Sequence, residues 1–158
     1  NHLNCSFKIN SPKKLCTYNR EFKSNTLLSN IKANSIISVL SSIHASEMNF
    51  DSAILFNNNN RIIETSNSNI FFVENHKIIT PPIEDGCIDG TMRRLLISLF
   101  DVEEKSISLN ILSKVDEVFV SNSISGVIPI KKIDHIEYHN FSYCNIIQKK
   151  IISLSLDL

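Results

Sequence analysis

This 158-residue sequence lacks an excess of charge of either sign, long apolar runs, and glycine- or proline-rich stretches that would mark linkers. Its 16 basic and 16 acidic side chains cancel at pH 7, so there is no bulk positive field to hold a phosphate backbone, and nucleic acid is not expected as the main partner. Apolar runs such as Leu95 to Ile97 and Val118 to Val120 break off within a few positions. They fall far short of the roughly 20 residues a membrane span needs, so no membrane partner is expected either. Only three Gly and four Pro punctuate the chain, and no repeat or heptad array divides it, which makes residues 1–158 a single domain. The four cysteines, Cys5, Cys16, Cys87 and Cys144, contain no CxxC pair. A core of this size needs no staples, so reduced thiols and a cytoplasmic location are expected. The chain opens on Asn, with no basic-then-apolar leader behind it, and is expected to begin partway along a longer gene product.

The composition is globular, with 42% hydrophobic and 20% charged residues, which excludes a wholly disordered or collagen-like chain. Ala33, Ile36, Ile37 and Leu40, with Ile43 beyond, repeat at helical spacing and predict a long helix from Asn25 with one buried face. Met92, Leu95, Leu96 and Leu99 predict a second helix opening just after Gly90, and Cys144, Ile147, Ile151 and Leu154 a third. Between the first two helices the period shortens. Ser52 to Phe56, Arg61 to Glu64, Asn69 to Val73 and Lys77 to Thr80 read as hairpin strands, and Asn57 to Asn60 suit the first turn, because Asn tolerates left-handed backbone angles. Glu117 to Ser121 reads as a strand buried on both faces. The alternation predicts a mixed α/β domain.

Two turns carry the chemistry. In Glu64-Thr65-Ser66-Asn67-Ser68-Asn69 a carboxylate at a strand end precedes a run of hydroxyl and amide side chains, which serve no packing purpose and offer short donors to an anion. In Gly86-Cys87-Ile88-Asp89-Gly90-Thr91-Met92-Arg93 a glycine loop runs straight into the second helix. Glycine there lets backbone approach a ligand, and the free amides of a helix start favour phosphate.

Glu64, Asn69, Ile70, Phe71, Thr80, Gly90 and Arg93 follow the pattern and gaps of the class IV aminotransferases. The sequence resembles that family of pyridoxal-phosphate enzymes, which includes branched-chain and D-amino-acid aminotransferases and aminodeoxychorismate lyases. Phe22-Lys23-Ser24-Asn25 looks like the family's lysine segment, and Val115 to Ile130 like its last active-site strand and loop, so the resemblance spans roughly Lys23 to Asp134. Thr91 departs from the pattern, where the family usually has an aliphatic residue. The family's phosphate contact there is through backbone amides, so the departure leaves the site intact.

The resemblance implies the large domain of the fold-type IV enzymes, a mixed-sheet pseudo-barrel with flanking helices, and pyridoxal 5'-phosphate as cofactor. It makes Lys23 the catalytic residue that forms the internal aldimine, with Glu64 holding the pyridine nitrogen in its protonated form. Gly90, Thr91 and Met92, with Ser66, Asn67 and Ser68 as secondary donors and Asn122 and Ser123 from the last loop, complete the expected cofactor site. Lys14 and Lys32 lack the flanking aromatic residue and Ser-Asn pair. The Asn122-Ser123 pair resembles the lyase branch, which would release pyruvate and 4-aminobenzoate from 4-amino-4-deoxychorismate. An aminotransferase of branched-chain or D-amino acids is the alternative, and a non-catalytic cofactor-domain fragment is a third reading. The resemblance further implies a small-molecule substrate, a homodimer, and a small N-terminal domain that lies upstream and completes the site.

No metal is expected, since His135 and His139 flank a strand or loop with no third ligand in sight. Cys87 is expected to be an ordinary buried thiol, and the Lys131-Lys132 and Lys149-Lys150 pairs solvated surface.

Overall fold

The β-rich runs become strands of one ten-stranded mixed sheet in a computed structural model that describes residues 7–24 and 36–156. In chain order the elements are β1 (Lys13–Thr17), α1 (Ile36–Glu47), β2 (Ser52–Phe56), β3 (Arg61–Thr65), β4 (Asn69–Glu74), β5 (Lys77–Thr80), α2 (Thr91–Leu99), β6 (Val102–Glu104), β7 (Ile107–Ser108), β8 (Glu117–Asn122), β9 (Gly126–Ile133), β10 (Ile136–Glu137) and α3 (Ser142–Leu156). Across the sheet the strands run β6-β5-β4-β8-β9-β1-β2-β3-β7, with β10 folded onto β9. β1 lies parallel to both β2 and β9.

The sheet curls into a pseudo-barrel. β3 and β4 are joined by the Ser66-Asn67 turn, yet β8, β9, β1 and β2 lie between them along the sheet. At the turn the Thr65 amide donates to the Ser68 carbonyl at 2.8 Å, bringing the ends of that six-strand path together. The predicted hairpin series is therefore half right. β2–β3 and β4–β5 are hairpins, but β3 pairs with β7 and β4 with β8.

Curling gives the central strands β2, β3, β4 and β8 two buried faces, which explains runs without polar alternation. Leu15, Ile54, Ile62, Ile70, Phe72, Val118, Val120 and Ile130 fill the inside. Their neighbours Phe71, Val73 and Phe119 point outward against Met92 and Leu96 of α2 and Cys144, Ile147 and Ile151 of α3. Phe71 and Phe119 stack there with ring centroids 5.0 Å apart. β8 is buried on both faces, as its sequence predicts. Asn60 adopts φ 55° in the β2–β3 turn.

α1 corrects the expectation of a buried apolar face. Ile36, Val39, Leu40 and Ile43 are 72%, 55%, 41% and 50% exposed, while Ser41 and Ala45 are buried. Ser41 and Ala45 face the strands, and Ile37 packs partly buried beside them. The predicted start of this helix, residues 25–35, lies outside the described residues, as does Cys5. Cys16, Cys87 and Cys144 are buried. Among the described residues no helix is long and apolar enough to cross a membrane.

Candidate active site

The β2–β3 hairpin positions the two groups singled out for chemistry. The Lys23 amide donates to the Phe56 carbonyl at 2.9 Å, fixing the lysine beside the end of β2. Glu64 stands near the end of β3, across from Leu55. Lys23 Nζ donates to Glu64 Oε1 at 2.5 Å and to the Gly86 carbonyl at 3.4 Å. The other carboxylate oxygen, Oε2, accepts the Ile88 amide at 2.8 Å. Both side chains are buried, so the ion pair is shielded from the solvent that screens surface pairs. Gly86 ends a short turn at φ 104°, a conformation that favours glycine.

The loop from Gly86 to Gly90 is held at Ile88 from two sides. Glu64 takes its amide, and Asn69 Nδ2 donates to its carbonyl at 2.7 Å. Asn69 Oδ1 also explains Gly90, whose φ of −69° any residue adopts. A Cβ at that position would lie 2.3 Å from Asn69 Oδ1. Among the described residues no side chain caps α2 after Gly90, so the first-turn amides of Thr91 and Met92 are available to a ligand. Arg93 is buried, its guanidinium held by Glu104 and the Pro81 carbonyl and paired with Asp89 of the loop at 3.6 Å. Arg94 is exposed and pairs with Asp89.

These elements enclose a cleft of about 820 Å³ lined by Glu64, Ser66, Asn67, Ser68, Gly90, Thr91, Met92, Asn122 and Ser123, among others. Every expected cofactor-site residue except Lys23 therefore lines one cavity, and Lys23 joins it through Glu64. Val39, Thr91 and Ile124 on its rim are exposed. Several of the expected donors are already engaged. Ser66 Oγ shares a hydrogen bond with Ser41 Oγ at 2.8 Å. Asn122 Nδ2 donates to Ser68 Oγ, while its Oδ1 accepts the Ile124 and Ser125 amides and shapes the loop. Some lining residues, Ser38, Val39 and Ser121 among them, were not singled out from the sequence. Ser121, the last polar residue before Asn122, is fully buried, and its hydroxyl has no hydrogen-bond partner among the described residues. Its signals were a polar residue ending an apolar run and its place within the Val115 to Ile130 segment.

The remaining candidates are structural. Burial pushes the Cys87 thiol up to about 12, beyond what the charges of Arg93 and Glu64 change. His135 and His139 are exposed on either side of β10.

Comparison with solved structures places the fold among the fold-type IV pyridoxal-phosphate enzymes. A Legionella pneumophila protein provisionally named 4-amino-4-deoxychorismate lyase superposes with TM-score 0.84 at 26% identity, over 94% of this chain and 58% of that one. The branched-chain amino acid aminotransferase of Thermobaculum terrenum, solved in its pyridoxal-phosphate form, shares the fold with TM-score 0.81 at 24% identity, over 92% of this chain and 52% of that one. The amino-transferase class IV family model matches residues 3–133, and the chain belongs to that family. Among curated relatives, "Probable branched-chain-amino-acid aminotransferase" of Synechocystis sp. is 31% identical over 75% of this chain. The aminodeoxychorismate lyase of Vibrio harveyi is 32% identical over 63% of it. The chain spans 40% and 39% of those relatives' lengths.

Proposed function

We propose that this chain is the cofactor-binding part of a pyridoxal-phosphate enzyme that acts on a small amino-substituted substrate. The observation that carries the reading is the buried Lys23–Glu64 pair beside a cleft that also holds an uncapped helix start. The donor set fits the group. It provides an amine for an aldehyde, a carboxylate for a ring nitrogen, backbone amides for a phosphate, and a glycine where Asn69 leaves no room for a Cβ. When bound, pyridoxal phosphate supplies an electron sink for the substrate carbanion.

The chain's own residues do the rest. Lys23 Nζ, released from Glu64, provides the amine and moves protons at the substrate carbon. Glu64, held by the Ile88 amide, keeps its carboxylate aimed into the cleft once Lys23 leaves it, where it holds a proton on a ring nitrogen. The α2 amides of Thr91 and Met92 bind the phosphate, with Ser123 on the facing loop. Asn122 fixes that loop through the Ile124 and Ser125 amides.

Within the family we favour the aminodeoxychorismate lyase reaction, supported by the Asn122-Ser123 pair. The Synechocystis relative supports branched-chain amino acid transamination as a second reading. The homodimer and the upstream small domain belong to the same proposal. The test has two parts. Borohydride reduction after incubation with pyridoxal phosphate should leave an adduct on Lys23 that Lys23→Ala abolishes; an adduct on Lys14 or Lys32 instead overturns the assignment. Supplying the full gene product with aminodeoxychorismate, and separately with a branched-chain amino acid plus 2-oxoglutarate, then separates the two reactions by product.

A further inference from the structure

Resting on the reading that the cleft takes pyridoxal phosphate, we propose that Ser121 is a phosphate-binding residue, donating its side-chain hydroxyl to a phosphate oxygen beside the α2 amides. Three observations converge on it. Ser121 is 0% exposed yet lines the cleft, and its Oγ has no hydrogen-bond partner among the described residues. The other cleft hydroxyls of the β3–β4 turn are engaged: Thr65 with the Ser68 carbonyl, Ser66 with Ser41, Ser68 with Asn67 and Asn122. A buried hydroxyl without a partner carries a desolvation cost that an incoming ligand atom relieves.

The sheet register says where that atom lies. Ser121 on β8 is directly opposite Asn69 on β4, and directly opposed residues of neighbouring strands project from the same face of the sheet. Asn69 on that face reaches the Ile88 carbonyl and abuts Gly90, the residue before α2. The Ser121 hydroxyl is therefore on the face that receives the start of α2, where the helix field favours an anion. A donor-capable hydroxyl, uncapped amides and the positive end of a helix meet in one corner, and a phosphate ester satisfies all three.

The proposal makes two effects of opposite sign. Removing a hydroxyl that bonds no described protein group should leave the unfolding midpoint of the cofactor-free protein unchanged or raise it, whereas Ser41→Ala, which breaks the buried bond to Ser66, should lower it. The same Ser121→Ala change should weaken pyridoxal 5'-phosphate, titrated by its absorbance, about ten- to a hundredfold, as expected for a hydrogen bond to a charged group. Binding of pyridoxal, which lacks the phosphate, should be unaffected. A lower midpoint for cofactor-free Ser121→Ala, unchanged affinity for the phosphate ester, or an equal loss with pyridoxal each overturns the proposal. Failure of the unaltered protein to bind pyridoxal phosphate overturns instead the cofactor reading on which it rests.

Discussion

Lys23 and Glu64 stand 41 residues apart in sequence and 2.5 Å apart in space. Each is the buried counter-ion of the other, and Glu64 keeps one further partner in the Ile88 amide. Replacing Lys23 with the uncharged Met strands a buried carboxylate, and removing one partner of such a pair typically costs about 3–5 kcal/mol. Neutralising both members avoids that penalty. Chemical denaturation should show Lys23→Met strongly destabilised and the double variant Lys23→Met/Glu64→Gln recovering most of the loss. If the double variant is no more stable than Lys23→Met, the pair is not what holds this corner together. Both residues were legible as motif positions. Their direct contact was not, because it depends on how the β2–β3 hairpin sets Glu64 against the segment around Lys23. Ser121 shows the same limit. A serine at the end of Val118-Phe119-Val120 reads as a strand terminus, and only the register with Asn69 turns it toward the cleft.

At the scale of elements, the outer layer is pinned by a carboxylate from the sheet. Glu117 on β8 is fully buried and accepts the Tyr143 and Cys144 amides at 3.0 and 2.6 Å, capping α3 from another element. Burial raises its carboxyl above the ordinary value of 4.5, against the opposing pull of those two amides. The folded state then binds the proton more tightly than the unfolded chain. The stability this contributes is fully present below 4.5 and is lost as pH rises through the raised value. Unfolding free energy measured across that window should fall with pH more steeply in the unaltered protein than in Glu117→Gln, which has no proton to lose. Equal slopes would mean that Glu117 does not titrate differently on folding. Helix periodicity located α2 and α3 but misassigned the buried side of α1. Spacing alone does not say whether large or small residues fit against a strand layer, and here Ser41 and Ala45 take that place.

On the scale of the whole molecule, the cleft lies where the β3–β4 turn, the start of α2 and the β8–β9 loop meet at one edge of the pseudo-barrel. A ligand bound there ties together segments from the middle and the later part of the chain, and anything that binds only the folded state stabilises it by mass action. At free pyridoxal phosphate a hundredfold above its dissociation constant, the gain should be about 2.7 kcal/mol. Thermal unfolding followed over rising cofactor concentration should show the midpoint climbing steadily. A midpoint indifferent to saturating cofactor would place binding outside the folded domain.

The sequence by itself determined the α/β character, most central strands, the second and third helices and the turns that carry Glu64 and Gly90, because periodicity, β-branched runs and glycine placement act over a few residues. It did not reveal β1 or the full length of β9. Lys13-Lys14 opens β1, and Pro129, which has no amide to donate, interrupts the pattern of β9. Their pairing, parallel and more than 110 residues apart in the chain, is what bends the sheet round on itself. That long-range closure decided which strand faces point inward, while the β2–β3 hairpin set Glu64 beside Lys23 and the β4–β8 register set Ser121 on the face beside α2. Register across a sheet is settled by the burial of both faces at once, a condition that no local stretch of the chain contains.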